Sequence, residues 1–428
     1  MKVLRRIVEA EGHRTTGSDA SLCGHRASNV NNADLVVYTT AVGEDNCEVV
    51  QARRLGIPTV ERAVFLGRVA SAYQTTIAVS GSHGKTTATG FCASIFSGKN
   101  PTVHIGGLVG DEAGRIGDKD FFITEACEYK RGFLHLRPKV GIILNAELDH
   151  TDYYRDEADY FSAFSEFAQN CETVIVSAAQ KFLCRSGGKE AFGRKEKQTQ
   201  KIITFGVDED ADYQAKNIER TAHGYRFDFF EYGEELGQLE IGIEGCHNIL
   251  NALAAAAAAR LCSLSIEEIE SGMKNFGGAK RRFERLCTTD ECTVISDYAH
   301  HPSELAASLK TARSISGGKK VTFVFQPHTY TRLQSLLGDF AASLSKADRV
   351  ILLPVFAARE KPLDGVSSKN LAAAVSNLGT AAVHIETFAE LFEYLVNTLT
   401  SGEIVVFAGA GDIDSAAREF AKTIQKGA

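Results

Sequence analysis

Apolar residues in this chain gather into short unbroken runs separated by longer stretches of helical period. Asp34 to Thr40, Thr76 to Ser80, Asp120 to Thr124, Val140 to Leu144, Thr173 to Val176 and Lys201 to Phe205 each keep their apolar positions together. Continuous runs of this kind mark strands covered on both faces. They predict α/β layers built on mostly parallel sheets, in two groups divided near Tyr73. Tyr225 to Ile243 differs, because Tyr225, Phe227 and Phe229 alternate with polar neighbours before Gly233-Glu234-Glu235, which predicts an antiparallel hairpin. Asn248 to Leu264 holds six consecutive alanines behind a candidate Asn cap and predicts a closely packed helix. Beyond Cys292, strands at Val294 to Ser296, Val321 to Phe325, Val350 to Leu353, Ala382 to Ile385 and Ile404 to Phe407 alternate with helices such as Ser303 to Ala312 and Phe388 to Leu399.

This is a third α/β unit, and Gly277-Gly278 before it is a natural hinge or boundary. For 428 residues the expected division is an N-terminal Rossmann-like unit, shortened, over 1–73, a central phosphate-loop domain over 74–279 and a C-terminal Rossmann-like domain over 280–428.

Composition narrows the function classes. A formal charge of -7 gives no overall attraction to a polyanion, and basic stretches such as Arg194-Lys195-Glu196-Lys197 are short, so nucleic acid is not expected as a partner. No run approaches the ~20 apolar residues of a membrane helix, and Met1 to Arg6 leads into polar Glu9, Glu11 and His13. A cytoplasmic protein without membrane insertion, monomer or homodimer, is expected. The ten cysteines form no C-x-x-C pair and read as free thiols; Cys287 and Cys292 flank a hairpin turn.

The chemistry concentrates at strand ends. Gly81-Ser82-His83-Gly84-Lys85-Thr86-Thr87 directly follows the strand ending at Ser80 and precedes a helical pattern from Ala88 to Phe96. Glycines let backbone N–H groups curl around an anion, the new helix presents its positive end, Lys85 reaches terminal phosphates and a threonine hydroxyl can hold Mg²⁺. The loop is the shorter G-x-x-G-K-T form, with Val79 where the longer pattern has glycine. Two further strands run into Glu125-Ala126-Cys127-Glu128 and Asn145-Ala146-Glu147-Leu148-Asp149-His150, so Glu125 and His150 are the candidate metal partners on the same edge of a parallel sheet. In the third unit Asp297-Tyr298-Ala299-His300-His301-Pro302 closes a strand, and Pro302 starts the next helix. The paired histidines do not suggest zinc, because no further Cys or His stands at ligand spacing. Arg359 and Lys280-Arg281-Arg282 either grip phosphate or carboxylate or form exposed charged turns.

Together these residues resemble the Mur ligase family. The resemblance rests on VVYTTAV from Val36, the GSHGKTT loop, EACEYKRGFLHLRP from Glu125, ILNAELDHTDYY from Ile143, GCHNILNALAA from Gly245, KRRFE from Lys280, DYAHHPSEL from Asp297, FQPHTYTRL from Phe325, AAREKPLDGVSS from Ala357 and AGAGD from Ala408. It implies three domains that hold a UDP-sugar, ATP and an amino acid in turn. It also implies a reaction, in which ATP phosphorylates the lactyl carboxylate of UDP-N-acetylmuramate and the amine of L-alanine attacks the acyl phosphate. Thr86, Glu125 and His150 match metal positions, and the loop Gly81, Ser82, His83, Gly84, Lys85, Thr86 and Thr87 matches the ATP site. The resemblance implies Asn248 near the adenine, Asp297 by the ribose, Arg281 and Arg282 in the hinge motif, and His300, His301 and Arg359 for the incoming amino acid. Lys85, His300 and Arg359 are the expected catalytic groups. Lys85→Ala is expected to abolish turnover with little loss of fold.

The chain departs from the family in its first domain. Members begin with a strand and a G-x-G-G-x-G-M turn, whereas Met1 opens in what reads as the following helix. After Gly17-Ser18-Asp19, Ala20-Ser21-Leu22-Cys23 passes directly to Gly24-His25, omitting a helix and strand; a smaller shortening lies at Gly98-Lys99-Asn100. Two alternatives therefore accompany the alanine reading: a muropeptide-recycling ligase that accepts a preformed tripeptide, and a non-catalytic ATP-binding remnant without affinity for UDP-sugar.

Overall fold

The computed structural model of the chain describes residues 1–19, 24–110, 112–151, 153–184 and 200–427. The junction at Ala20-Ser21-Leu22-Cys23 and the basic stretch from Arg194 to Lys197 lie outside the described residues. Two compact units are formed: Met1–Glu219 with Arg226–Ile241 and Leu250–Phe276, and Arg220–Tyr225 with Gly242–Ile249 and Gly277–Ala428.

The first unit opens with helix α1 (Lys2–Ala10), whose Val3, Leu4 and Ile7 share one buried face. A parallel pair follows, β1 (Val36–Tyr38) with β2 (Thr59–Glu61), between which runs α2 (Cys47–Arg54), and α3 (Arg62–Ala70) comes after. The expected strand from Asp34 to Thr40 forms only at its centre. Then comes a ten-stranded sheet: β3 (Thr75–Ser80), β4 (Pro101–Val109), β5 (Glu112–Arg115), β6 (Asp118–Glu125), β7 (Val140–Ile143), β8 (Thr173–Ser177), β9 (Lys201–Val207), β10 (Tyr213–Arg220), β11 (Tyr225–Glu231) and β12 (Glu234–Ile241). Its spatial order is β12-β11-β10-β9-β8-β7-β3-β6-β4-β5. β3 pairs in parallel with β6 on one side and β7 on the other, and all of its residues are buried, as an unbroken apolar run requires.

α4 (Lys85–Ile95) and α5 (Glu157–Asn170) connect strands of this sheet, and α6 (His247–Leu261) and α7 (Ile266–Asn275) follow it in the chain. The Val3, Leu4 and Ile7 face of α1 joins Tyr73, Phe122, Phe133, Phe164 and Phe167 in one core, where the Phe133 and Phe167 rings stack 4.9 Å apart. Burying each such side chain stabilises the fold by about 1.5–3 kcal/mol.

Three details differ from expectation. The hairpin turn falls at Tyr232-Gly233, with φ of 49° and 85°, the paired left-handed residues of a type I′ turn, so Glu234 and Glu235 already belong to β12. Asn248 does not cap its helix: α6 starts one residue earlier, and the Asn248 side-chain amide donates to the Glu244 carbonyl at 2.7 Å. The helix also stops at Leu261, and α7 starts separately on a Ser265–Glu268 capping box.

The second unit resumes at Gly277 and holds a six-stranded sheet in the order β13-β14-β18-β15-β16-β17. The strands are β13 (Glu284–Thr288), β14 (Cys292–Asp297), β15 (Val321–Phe325), β16 (Arg349–Leu352), β17 (Ala381–His384) and β18 (Glu403–Ala408). Only β13 runs antiparallel to its neighbour, so Cys287 and Cys292 do flank a hairpin. α8 (Pro302–Ile315) begins at Pro302, whose missing N–H costs nothing in the first helical turn.

Gly272 lies inside α7 although glycine costs a helix interior up to about 1 kcal/mol against alanine. α4 supplies the reason. A Cβ on Gly272 would stand 2.3 Å from the Ile95 Cα, and Ser94 Oγ donates to the Gly272 carbonyl at 2.7 Å. Gly272→Ala is therefore expected to destabilise the protein by roughly 1–3 kcal/mol through overpacking, despite its better helix propensity. The check is the urea midpoint, which should fall at constant m-value.

Candidate active site

Because β3 is bonded on both flanks, the chain leaving its carboxyl end emerges between the tails of β6 and β7. Gly81 (φ 148°) and Gly84 (φ 83°) turn it back into α4 in backbone conformations that side chains rarely adopt. Space excludes a side chain as well: a Cβ on Gly84 would stand 2.5 Å from Asn251 Oδ1, and one on Gly81 3.0 Å from Leu144 Cβ.

The tail of β7 braces the loop. Asn145 Oδ1 accepts from His83 N at 2.9 Å while its amide donates to His83 O at 3.1 Å. Ser82 Oγ donates to Glu147 O and accepts from Glu147 N, both at 2.8 Å, and meets the Tyr160 hydroxyl at 2.7 Å. The Ser82 side chain thus shapes the loop and does not face outward. His83 Nε2 lies 3.4 Å from Glu147 Oε2. Thr86 and Thr87 are buried in the first turn of α4.

Lys85 is the centre of charge. Its Nζ donates to the carbonyls of Gly81 and Ser82 and lies 2.9 Å from Glu128 Oε2, with Glu128 Oε1 at 3.0 Å. His150 Nε2 stands 3.4 Å from Glu128 Oε1, the oxygen that also accepts from Lys85. Burial opposes charge on both members of the pair, yet each partner prevails for the other. The Lys85 ammonium is held above its ordinary range, chiefly by Glu128, and the Glu128 carboxyl below its own, by Lys85 and His150.

The backbone around this carboxylate is strained. Lys130, Arg131 and His150 have φ of 50°, 57° and 54°, a conformation costing about 1–2 kcal/mol each for such residues. Compensation comes from the Arg131–Asp159 ion pair at 2.7 Å, from Asp149 Oδ1 accepting from His150 N at 2.7 Å, and from the Tyr129 ring packed 4.8 Å from that of His150.

Glu125 closes β6 beside this group, and its Oε1 is buried without a hydrogen-bond partner. β4 passes it with bare backbone: a Cβ on Gly106 would lie 2.8 Å from Glu125 Oε2, and one on Gly107 2.9 Å from Thr86 Cγ2. The glycines meet Glu125 Oε2 and the Thr86 methyl, and the orphaned Glu125 Oε1 and the Thr86 hydroxyl are oxygen donors that fit a hard cation.

In the second unit the candidate residues gather where β14, β15, β16 and β18 end. Asp297 accepts from Phe283 N at 3.3 Å; burial pushes its carboxyl up to about 6, against the opposing pull of Ser308 and Arg282. The guanidinium groups of Arg281 and Arg282 lie 4.7 Å and 5.0 Å from the Tyr298 ring centroid. Arg281 also donates to the carbonyls of Gly409 and Gly411, both at 3.0 Å. The backbone N–H groups of His300 and His301 donate to Glu304, at 3.0 Å and 3.2 Å. His300 Nδ1 faces Tyr298 O at 2.8 Å, which places the ring proton on Nδ1. The His300 ring is 6.0 Å from that of His328, which stacks on Phe356 at 5.7 Å. Arg359 is exposed on the loop beyond β16, and its neighbour Glu360 accepts from Tyr330 N at 2.6 Å.

The structure thus brings Gly81–Thr87, Glu125 and His150 together in one unit, and Arg281, Arg282, Asp297, His300 and His301 in the other. Arg359 lies further along the same strand ends. Glu128, Asn145 and Tyr160 were missed by sequence reasoning. A second acid three positions beyond the strand-ending Glu125 was the available signal for Glu128, and Asn145 stands directly after a predicted strand. Tyr160 carries no local signal.

A phosphate loop at the end of a parallel-paired strand, followed by a second α/β unit, is the arrangement of a nucleotide-binding enzyme, and the chain belongs to the Mur ligase family. Family models match residues 1–74 (Mur ligase family, catalytic domain), 79–259 (Mur ligase middle domain) and 281–411 (Mur ligase, glutamate ligase domain). It is similar to the UDP-N-acetylmuramate--L-alanine ligase of Caldanaerobacter subterraneus subsp. tengcongensis, 36% identical over 100% of this chain and 96% of that protein. The protein of the same name from Clostridium novyi is 38% identical over 96% of this chain and 93% of its own length. Among solved structures, the UDP-N-acetylmuramate-alanine ligase of Thermotoga maritima superposes with a TM-score of 0.78 at 28% identity, covering 95% of this chain and 88% of that one. A murein peptide ligase from Psychrobacter arcticus shares the fold at a TM-score of 0.68 and 21% identity, over 99% of this chain and 96% of its own.

The raised carboxyl of Asp297 predicts a pH dependence. With a folded pKa of about 6 against an ordinary 3.8, the folded protein binds this proton more tightly than the unfolded chain. The associated stability is fully present below pH ~3.8 and is lost as pH rises through about 6, a total of about 3 kcal/mol. Asp297→Asn should flatten the fall between pH 4 and pH 7, read by denaturant unfolding of both proteins at each pH. Parallel curves would contradict the burial argument.

Proposed function

We propose that this chain joins L-alanine to the lactyl carboxylate of UDP-N-acetylmuramate, cleaving ATP to ADP and phosphate, as a cytoplasmic step in the making of peptidoglycan precursors. The observation that carries the reading is a braced phosphate loop facing Glu125 and His150, in a chain whose relatives of that name match over its whole length. In this reading residues 1–73 hold the sugar nucleotide, 74–279 the ATP and 280–428 the amino acid.

The residues have distinct tasks. Backbone N–H groups of Gly81 to Thr87 and the start of α4 hold the ATP phosphates, and Lys85 neutralises charge on the γ-phosphoryl group as the lactyl carboxylate takes it. Thr86, Glu125 and His150 would hold Mg²⁺, which when bound supplies further positive charge to the phosphates. The family resemblance gives Asn248 to the adenine, Asp297 to the ribose and Arg281 and Arg282 to phosphate. Alanine must attack as a free amine. His300, with its proton on Nδ1, presents Nε2 as the acceptor that can take the ammonium proton, and His301 and Arg359 orient the alanine carboxylate. The carbon–nitrogen bond then forms as phosphate leaves the acyl carbon.

The test is phosphate release measured with ATP, UDP-N-acetylmuramate and L-alanine, omitting each in turn. Release should require all three, and a preformed tripeptide should not replace alanine. No release with all three present would remove this reading.

The structure also revises what Lys85→Ala does. Because Lys85 neutralises a buried carboxylate, the variant should lose turnover by at least about 10²-fold and also lose up to about 3–5 kcal/mol of stability through the stranded Glu128. Lys85→Met with Glu128→Gln should restore the stability but not the turnover. Thermal unfolding beside the phosphate assay separates the two effects.

A further inference from the structure

We propose that Glu128 is a positioning residue that competes with the ATP phosphates for Lys85 and so couples nucleotide arrival to the placement of His150. The inference rests on the ATP reading above and adds a residue to it. An ammonium has three protons to donate. Those of Lys85 meet the Gly81 carbonyl, the Ser82 carbonyl and Glu128, so its donors are already engaged within the loop. Reaching a phosphate therefore means exchanging a partner. The loop carbonyls are fixed by the turn through Gly81 and Ser82, and the partner given up is the carboxylate.

Glu128 is built to resist and then to transmit that exchange. Its side chain is 2% exposed, its backbone carbonyl accepts from the Tyr154 hydroxyl, and left-handed Lys130 and Arg131 follow it in the chain. It has little freedom to swing away. Its second contact is His150 Nε2, 3.4 Å from Oε1, on a residue whose own backbone is left-handed. As Lys85 moves to phosphate, His150 is the side-chain partner that remains to the buried carboxylate among the described residues, and the carboxylate draws the imidazole toward the loop at the moment the nucleotide is seated. Release of the lysine and orientation of the histidine become one event. Glu125, three positions earlier, makes no hydrogen bond or ion pair with Lys85 among those described and acts on it only through its charge, so it is not the partner exchanged.

The prediction has opposite signs for binding and turnover. Glu128→Gln removes the competing charge while keeping the shape, so ATP measured by calorimetry in EDTA should bind about 5–10-fold more tightly than to the unaltered protein. Turnover with all substrates and Mg²⁺ should instead fall at least about 10-fold. Glu128→Asp keeps the charge but is shorter by one methylene, and should show a smaller change in each quantity in the same directions. A merely structural role would lower binding and turnover together, in proportion to the folded fraction measured by circular dichroism. That outcome, or unchanged ATP affinity in Glu128→Gln, overturns the proposal; if Glu128→Gln does not fold, unchanged binding and turnover in Glu128→Asp does so. Failure of the unaltered protein to bind ATP would instead remove the reading beneath it.

Discussion

The parallel pairing of β3 with β6 and β7 is the constraint on which the first unit's chemistry depends. Hydrogen bonds on both flanks fix the register of three strands at once, and all three end on one edge of the sheet. The phosphate loop, Glu125 and the segment leading to His150 are continuations of those strands. The strand ends bring these segments to one edge, and the left-handed turns at Gly81, Gly84 and His150 complete the placement. Asn145 and Tyr160 then refine the loop to within a hydrogen bond.

The price of this arrangement is local. A largely buried lysine and a buried glutamate face each other beside three non-glycine residues in left-handed backbone. Each feature is costly by itself, since a buried ion pair returns little over a well-packed apolar pair. Strain and buried charge coincide within a few residues of Glu128, while the sheet beneath is apolar and regular. The rigid part of the domain supports the costly part.

How much of this was legible in the sequence depended on how local the cause was. Val321 to Phe325 forms a strand over the residues its apolar run marks, and Pro302 starts its helix, because both signals lie in neighbouring residues. The hairpin was legible but its turn was displaced, since Tyr232 takes a left-handed conformation that no aromatic residue advertises. β4 and β5 went unrecognised: β4 carries Gly106 and Gly107 in its second half, where the Glu125 carboxylate and the Thr86 side chain leave no room for a Cβ. The phosphate loop announced itself through its glycines and lysine. The Glu128 pairing did not, because nothing near Glu128 in the chain shows that Lys85 lies beside it. Asn248 shows the reverse error, a residue with the right chemistry for a cap whose amide turns instead to the Glu244 carbonyl.

The alanine run of α6 offers a different lesson. Ala252 and Ala254 to Ala259 are all fully buried, so this helix has no polar side to signal its orientation. Methyl groups have no rotamers to lose, and their small size lets neighbouring backbones approach closely. Closeness is then the whole of the stabilisation, and any larger side chain would wedge the contact open along its length. The stretch with the least chemistry is for that reason among the least substitutable, and mutational tolerance in this domain need not follow distance from the reacting groups.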